Sequence, residues 1–300
     1  MSQLLNALIQ GALLGGNYAL LACGLAFMYQ VMRIINLAHG TLIVVAAFAF
    51  WFLADRWGIN PFVALLGVLP AMAVIGWGLE RAVFAPSVRY GLLVPILATF
   101  GLAILVNNLL FEQFGANPRS LAPYIGALSY GSWALGGDIY LGQLAVLIFA
   151  VAVALLAGLS LFLSKTLTGR AIRATAVDRD TVGLIGVNPR KVNAIAAAIA
   201  MVTVGIAGLF LGMRGSFTPY SGMDLLIFAF EAAVIGGTGS LWRTLLGGVL
   251  LGVVQSLGAL ANPQAFLIAG HCLFLAVVVG QALASGRSFG HFAKKVRGWI

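Results

Sequence analysis

Charge is what this sequence has least of. Asp, Glu, Lys and Arg make up 8% of its 300 residues, against about 25% in an ordinary soluble domain. A soluble chain of this length needs far more polar surface. That excludes a water-soluble enzyme and a disordered chain. Cysteine is nearly absent. Cys23 and Cys272 are the only two, which excludes a disulfide scaffold and any cysteine-based zinc spacing. Both lie in apolar runs and read as small buried side chains. The three histidines, His39, His271 and His291, have no metal-ligand spacing. No Gly-x-x-x-x-Gly-Lys-Ser/Thr run occurs, so the chain does not bind ATP through a P-loop. Neither His-Glu-x-x-His nor Gly-x-Ser-x-Gly occurs, so hydrolysis has no support.

What is present is apolar. Hydrophobic residues are 61% of the chain, and the mean hydropathy is +1.04. Long apolar stretches cover about 4–29, 37–54, 61–79, 92–111, 141–163, 194–213, 225–240, 244–260 and 265–284. Each is judged against the ~20 residues that a spanning helix needs. The expected fold is all-α: one polytopic transmembrane helical bundle over 1–300, with about eight or nine spans. The stretches 225–240 and 244–260 are short and glycine-rich, so together they could form a broken or re-entrant element. Glycine, 38 residues, reads mainly as close helix packing.

The net charge of +9 reads as membrane topology rather than nucleic-acid binding. One set of connections holds Arg33, Arg81, Arg89, Lys165, Arg170, Arg173, Arg179, Arg190, Lys191, Arg243, Arg287, Lys294, Lys295 and Arg297. The opposite set holds only Arg56, Arg119 and Arg214. Excess Lys/Arg marks the cytoplasmic side, so the amino terminus is expected outside and the carboxyl terminus inside. Residues 1–32 hold no Lys or Arg, so the first span reads as retained rather than as a signal peptide.

Two loops exceed a turn. The outside one, about 112–140, reads as a short cap or a partly re-entrant lid. The inside one, 164–193, is the most charged stretch and reads as one cytoplasmic helix of about four turns.

Polar residues inside spans are functional candidates by default. Glu231 is the sharpest, set in Phe228-Ala-Phe-Glu-Ala-Ala. It either lines a water-filled path or pairs with a cation such as Arg214 or Arg243. Asn36 and His39 stand at the cytoplasmic start of the second span, where a broken helix or a capped turn would each suit them. Thr99, Asn107 and Asn108 lie on the fourth span, either as helix glue or as a path lining.

Four stretches in order carry a family likeness. They are Gly16-Asn-Tyr-Ala-Leu-Leu-Ala-Cys-Gly-Leu25 leading into Ile35-Asn-Leu-Ala-His-Gly40; Leu97-Ala-Thr-Phe-Gly-Leu102; Thr168-Gly-Arg-Ala-Ile-Arg-Ala174 with Asp178 and Gly186; and Val234-Ile-Gly-Gly-Thr-Gly-Ser-Leu241. From about residue 8 to 260 the chain resembles the inner-membrane permeases of ABC importers for branched-chain amino acids, the LivH type. The resemblance implies a bacterial inner-membrane permease that forms half of a translocation pathway. Its implied partners are two P-loop ATPase subunits, a second homologous permease, a substrate-binding protein and the lipid bilayer, with no nucleic acid. No cofactor is expected on this chain, since ATP is used by the partners. Gly169, Arg170, Arg173, Asp178 and Gly186 would form the ATPase-coupling helix. Asn36, His39, Thr99, Asn107, Glu231 and Thr238 would wall the pathway. The chain departs from the family at Gln30, Thr41, Trp242 and Arg243, which leaves the substrate open among branched-chain amino acids, urea, amides and organic acids. The competing reading is a self-sufficient channel or a proton-coupled transporter centred on Glu231.

Overall fold

The computed structural model describes residues 2–91, 93–134, 136, 139–184, 186–237 and 240–284. Among them are twelve α-helices and one small hairpin. The long helices are α1 (Ser2–Met32), α2 (His39–Trp57), α3 (Pro61–Leu79), α5 (Leu93–Phe114), α6 (Gln143–Lys165), α9 (Pro189–Arg214), α11 (Leu241–Ala261) and α12 (Ala265–Ala284). Four are shorter: α4 (Ala85–Val88), α7 (Leu167–Val177), α8 (Arg179–Leu184) and α10 (Gly222–Gly236). A π-helical segment, Glu80–Phe84, joins α3 to α4.

Eight helices are long and apolar enough to cross a bilayer, counting α3 through α4 as one. The fifteen residues of α10 reach about 22 Å, short of the ~30 Å apolar core. Of the two stretches expected to be irregular, only the first is short. The second, α11, is a full helix of 21 residues.

Local chemistry sets the helix starts. Asn60 and Asn188 each accept a backbone N–H at the head of α3 and α9, with Pro61 and Pro189 in the first helical position. That is the favoured arrangement of cap and proline. Thr166 caps α7 by accepting from Gly169 N–H at 2.9 Å.

The bundle has two ends. At the hairpin end, the described residues between α5 and α6 include short 3₁₀ turns and the hairpin β1 (Ser132–Ala134) with β2 (Tyr140–Gly142). This is a cap, tied to α9 through Leu121 N–H to Gly212 O at 2.7 Å and to α2 through Tyr124 and Asp55 at 2.8 Å. The bond to Asp55 holds the Tyr124 phenol above its usual pKa. The strands were not foreseen. At the opposite end, α7 and α8 pack beneath α1, α6 and α9.

α1 is the central element. Of its apolar stretch 78% is buried, against 6% for α12. It lies along α11 through Gly11 and Gly15 facing Gly252 and Gly248, where any Cβ would run into the opposing backbone. Small residues let the two backbones touch, the usual basis of tight packing in membranes.

Two helices start inside the bundle. The chain turns at Met32 and runs back unwound through 33–38 before α2 begins. His39 then lies at the depth of Leu21, about two-thirds along α1. His39 opens the second span as expected, but that start lies inside the bundle rather than at the end of α1. α9 ends at Arg214, and residues 215–221 return into the bundle before α10 begins. The two helix starts meet head to head. A Cβ on Gly40 would strike the Gly222 carbonyl, and one on Gly222 would strike Thr41 N. From that junction α2 runs to the hairpin end, where Phe48 packs on Phe114 and Phe217. α10 runs the other way, where Gly237 and Ser240 border an apolar pocket of about 140 Å³ beside Tyr29 and Gln30. Span, return and broken helix thus occur twice, in opposite senses. This is the inverted arrangement in which membrane transporters expose backbone near the midplane.

Candidate functional site

Three polar assemblies emerge. The first joins Asn36, His39 and Thr99 around the start of α2, and all three are fully buried. Leu37 N–H donates to Thr99 Oγ at 3.0 Å. Ala38 N–H donates to Asn36 Oδ1 at 3.0 Å. His39 Nε2 donates to Leu21 O at 2.8 Å. Among the described residues Asn36 Nδ2 reaches only Met28 Sδ, at 3.9 Å. The first two bonds satisfy amides released where the chain is unwound, and a buried unpaired amide is costly; the third ties the start of α2 to α1. Asn107 does not join them. It lies about 12 Å farther along α5, with a buried side-chain oxygen unpartnered among the described residues. Thr238 falls outside the described residues.

The second assembly crosses the bundle through α1, α9, α10, α11 and α12. Glu231 is 3% exposed. Its partner is neither Arg214 nor Arg243 but His271, with Nδ1 2.5 Å from Oε1. Two elements far apart in sequence pack side by side, so the nearest nitrogen is one that sequence distance hid. His271 stacks on Phe228 at 6.4 Å, and Phe228 stacks on Tyr18 at 5.2 Å. The Tyr18 hydroxyl donates to Gln255 Oε1 at 2.6 Å. Arg214 and Glu231 both lie within electrostatic range of that phenol.

Beside Tyr18 opens a cleft of about 420 Å³ between α1, α9, α10 and the start of α12. Asn17 and Arg214 line it with Tyr18. Gln255, His271 and the cleft itself were missed from sequence. Asn17 and Tyr18 lay inside a quoted motif, and Arg214 was read as a loop charge and a possible partner for Glu231, not as a cleft residue. Polar residues at scattered depths of apolar spans were the available signal, but only packing shows which of them meet.

The third assembly is the loop 164–193. It holds two helices, not one of four turns. The chain is extended at Asp178, whose carboxylate accepts from Thr181 N–H at 3.1 Å and Thr181 Oγ at 2.5 Å. An aspartate that caps the next helix ends the previous one. Gly169, Ile172 and Thr175 are buried, Gly169 against the last turn of α6. Arg170 and Arg173 face outward, beside Leu167, 78% exposed, and Val177, 88% exposed. Gly186 makes the left-handed turn toward α9. The cysteine expectation was half right. Cys23 is buried and Cys272 exposed, both as free thiols.

This architecture has known relatives. Residues 7–281 match the family described as branched-chain amino acid transport system / permease component. The chain belongs to that family. It is 30% identical to the high-affinity branched-chain amino acid transport system permease protein BraD of Pseudomonas aeruginosa, over 85% of this chain and 86% of that one. The permease LivH of Salmonella typhimurium is 28% identical over the same shares. The fructose import permease protein FruF of Bifidobacterium longum is also 28% identical, over 84% of this chain and 72% of that one. The chain is therefore a multi-pass permease subunit of the ABC-transporter type, a class that works with ATPase and substrate-binding partners.

Proposed function

We propose that this permease forms half of the pathway of an importer for branched-chain amino acids. A second homologous permease completes the pathway, two P-loop ATPases drive it, and a binding protein delivers the substrate. The chain binds no cofactor itself. The amino terminus and hairpin end face outward, and α7 and α8 face the cytoplasm, as the lysine and arginine distribution requires. Asn36, His39 and Thr99 hold the break in α2, which is the movable element of the pathway. Glu231 borders that pathway with His271.

The observation that carries this reading is the seating of α7. Its buried face rests on α1, α6 and α9 together, while Arg170, Arg173, Leu167 and Val177 are left outward. A helix packed on three spans shifts all three when its docking partner rotates.

The test is mild-detergent capture of the tagged chain from its native membrane. Two P-loop ATPases and a second permease should be recovered with it. Replacing Arg170 and Arg173 together by Gln should lower ATPase recovery by at least about tenfold, as loss of charged contacts does at an interface. A chain that comes out alone and still carries solute flux in liposomes overturns the reading.

A further inference from the structure

The cleft between α1 and α9 holds polar groups that the rest of the protein does not use. Asn17 is 7% exposed, lines the cleft and has no hydrogen-bond partner among the described residues. A primary amide that deep in an apolar bundle normally finds one. Arg214, at the end of α9, opens into the same space and has no carboxylate within bonding distance among the described residues. The other two cations of the hairpin end differ. Arg119 lies over the Trp51 ring at 4.4 Å and reaches Phe114 O, and Arg56, exposed as Arg214 is, stands on the last turn of α2 away from the cleft. Arg214 alone among them faces a cleft.

The remaining walls are apolar, formed by Leu21, Leu211, Phe228 and their neighbours, and no Asp or Glu is among them. The volume falls within the range of roughly 300–1,000 Å³ usual for small-molecule sites. Its inventory is one cation, one amide and one phenol whose proton is already committed to Gln255.

We propose that this cleft is a docking site for an aliphatic amino acid, with Arg214 gripping its α-carboxylate. The inference rests on the permease reading above and adds a substrate-recognising residue to it. The planar guanidinium matches a carboxylate with two parallel N–H donors. Asn17 Oδ1 and the Tyr18 oxygen accept from the substrate ammonium. The leucines and Phe228 cover the branched side chain. With no carboxylate in the walls, the ammonium meets only neutral acceptors, which suits a brief stop on a pathway. The same lack disfavours cationic substrates, and the apolar walls disfavour acidic side chains.

The experiment is ligand-observed saturation-transfer NMR on the purified, detergent-solubilised chain. Three probes at millimolar concentration separate the two ends of the substrate: leucine, 4-methylpentanoate, which lacks the amine, and 3-methylbutan-1-amine, which lacks the carboxylate. Leucine and 4-methylpentanoate should show transfer, and the amine should show little. Arg214→Gln should remove transfer to both acids, while Arg214→Lys should keep part of it. Arg56→Gln serves as the control at the same end. A monodisperse gel-filtration peak and an unchanged Tm certify that each variant is folded. Equal binding of the amine, silence of all three probes, or full binding by folded Arg214→Gln would overturn the proposal. The permease reading fails separately, through absence of ATPases in the capture experiment.

Discussion

The start of α2 and the cleft beside α1 are both polar islands in an apolar bundle, and they are built on opposite plans. At the start of α2, Thr99 and Asn36 are spent on backbone amides that the unwound segment 33–38 leaves open, and His39 ties that start to the Leu21 carbonyl of α1. In the cleft, Asn17 and Arg214 are bonded to nothing among the described residues. Residue type does not separate the two, since each has an asparagine and a cationic or potentially cationic partner. The disposition of their hydrogen bonds does. A satisfied buried group holds structure together, and an unsatisfied one is free to meet a ligand.

Stability measurements should keep the two islands apart. The largest effect belongs to the junction of α2 and α10. Gly40→Leu drives a side chain into the Gly222 carbonyl and should cost about 3 kcal/mol or more, read as loss of a monodisperse peak in mild detergent. His39→Ala strips the donor from Leu21 O and should cost about 2 kcal/mol, visible as a lower Tm. Thr99→Val removes the acceptor for Leu37 N–H and should cost about 1 kcal/mol. Arg214→Gln should change stability by no more than about 0.5 kcal/mol, because the exposed guanidinium makes no hydrogen bond or salt bridge among the described residues. A Tm drop as large as that of His39→Ala would show that Arg214 is structural and would erase the contrast.

The spans were legible in the sequence because each needs only a run of apolar residues and charges to bound it. The break at 33–38 was foreshadowed by Asn36, His39 and Gly40. The shortness of α10 was foreshadowed by its glycines. Side-chain pairing was not legible. Glu231 and His271 lie forty positions apart, and Tyr18 and Gln255 lie 237 apart. Hydropathy carries no record of which helix stands beside which. The split at Asp178 was missed because an aspartate inside a basic run reads equally well as a helix-face charge or as a cap.

By itself the sequence determined that this chain lives in a membrane, roughly how often it crosses, and which end carries the positive charge. Those properties follow from transfer of side chains out of water, which is local and additive along the chain. Tertiary structure decided which polar groups are consumed and which are left over. Hydrogen bonds are made between particular atoms at particular distances. Whether Asn17 or Asn36 has a partner is settled only when α1, α5, α9 and α12 have found their places.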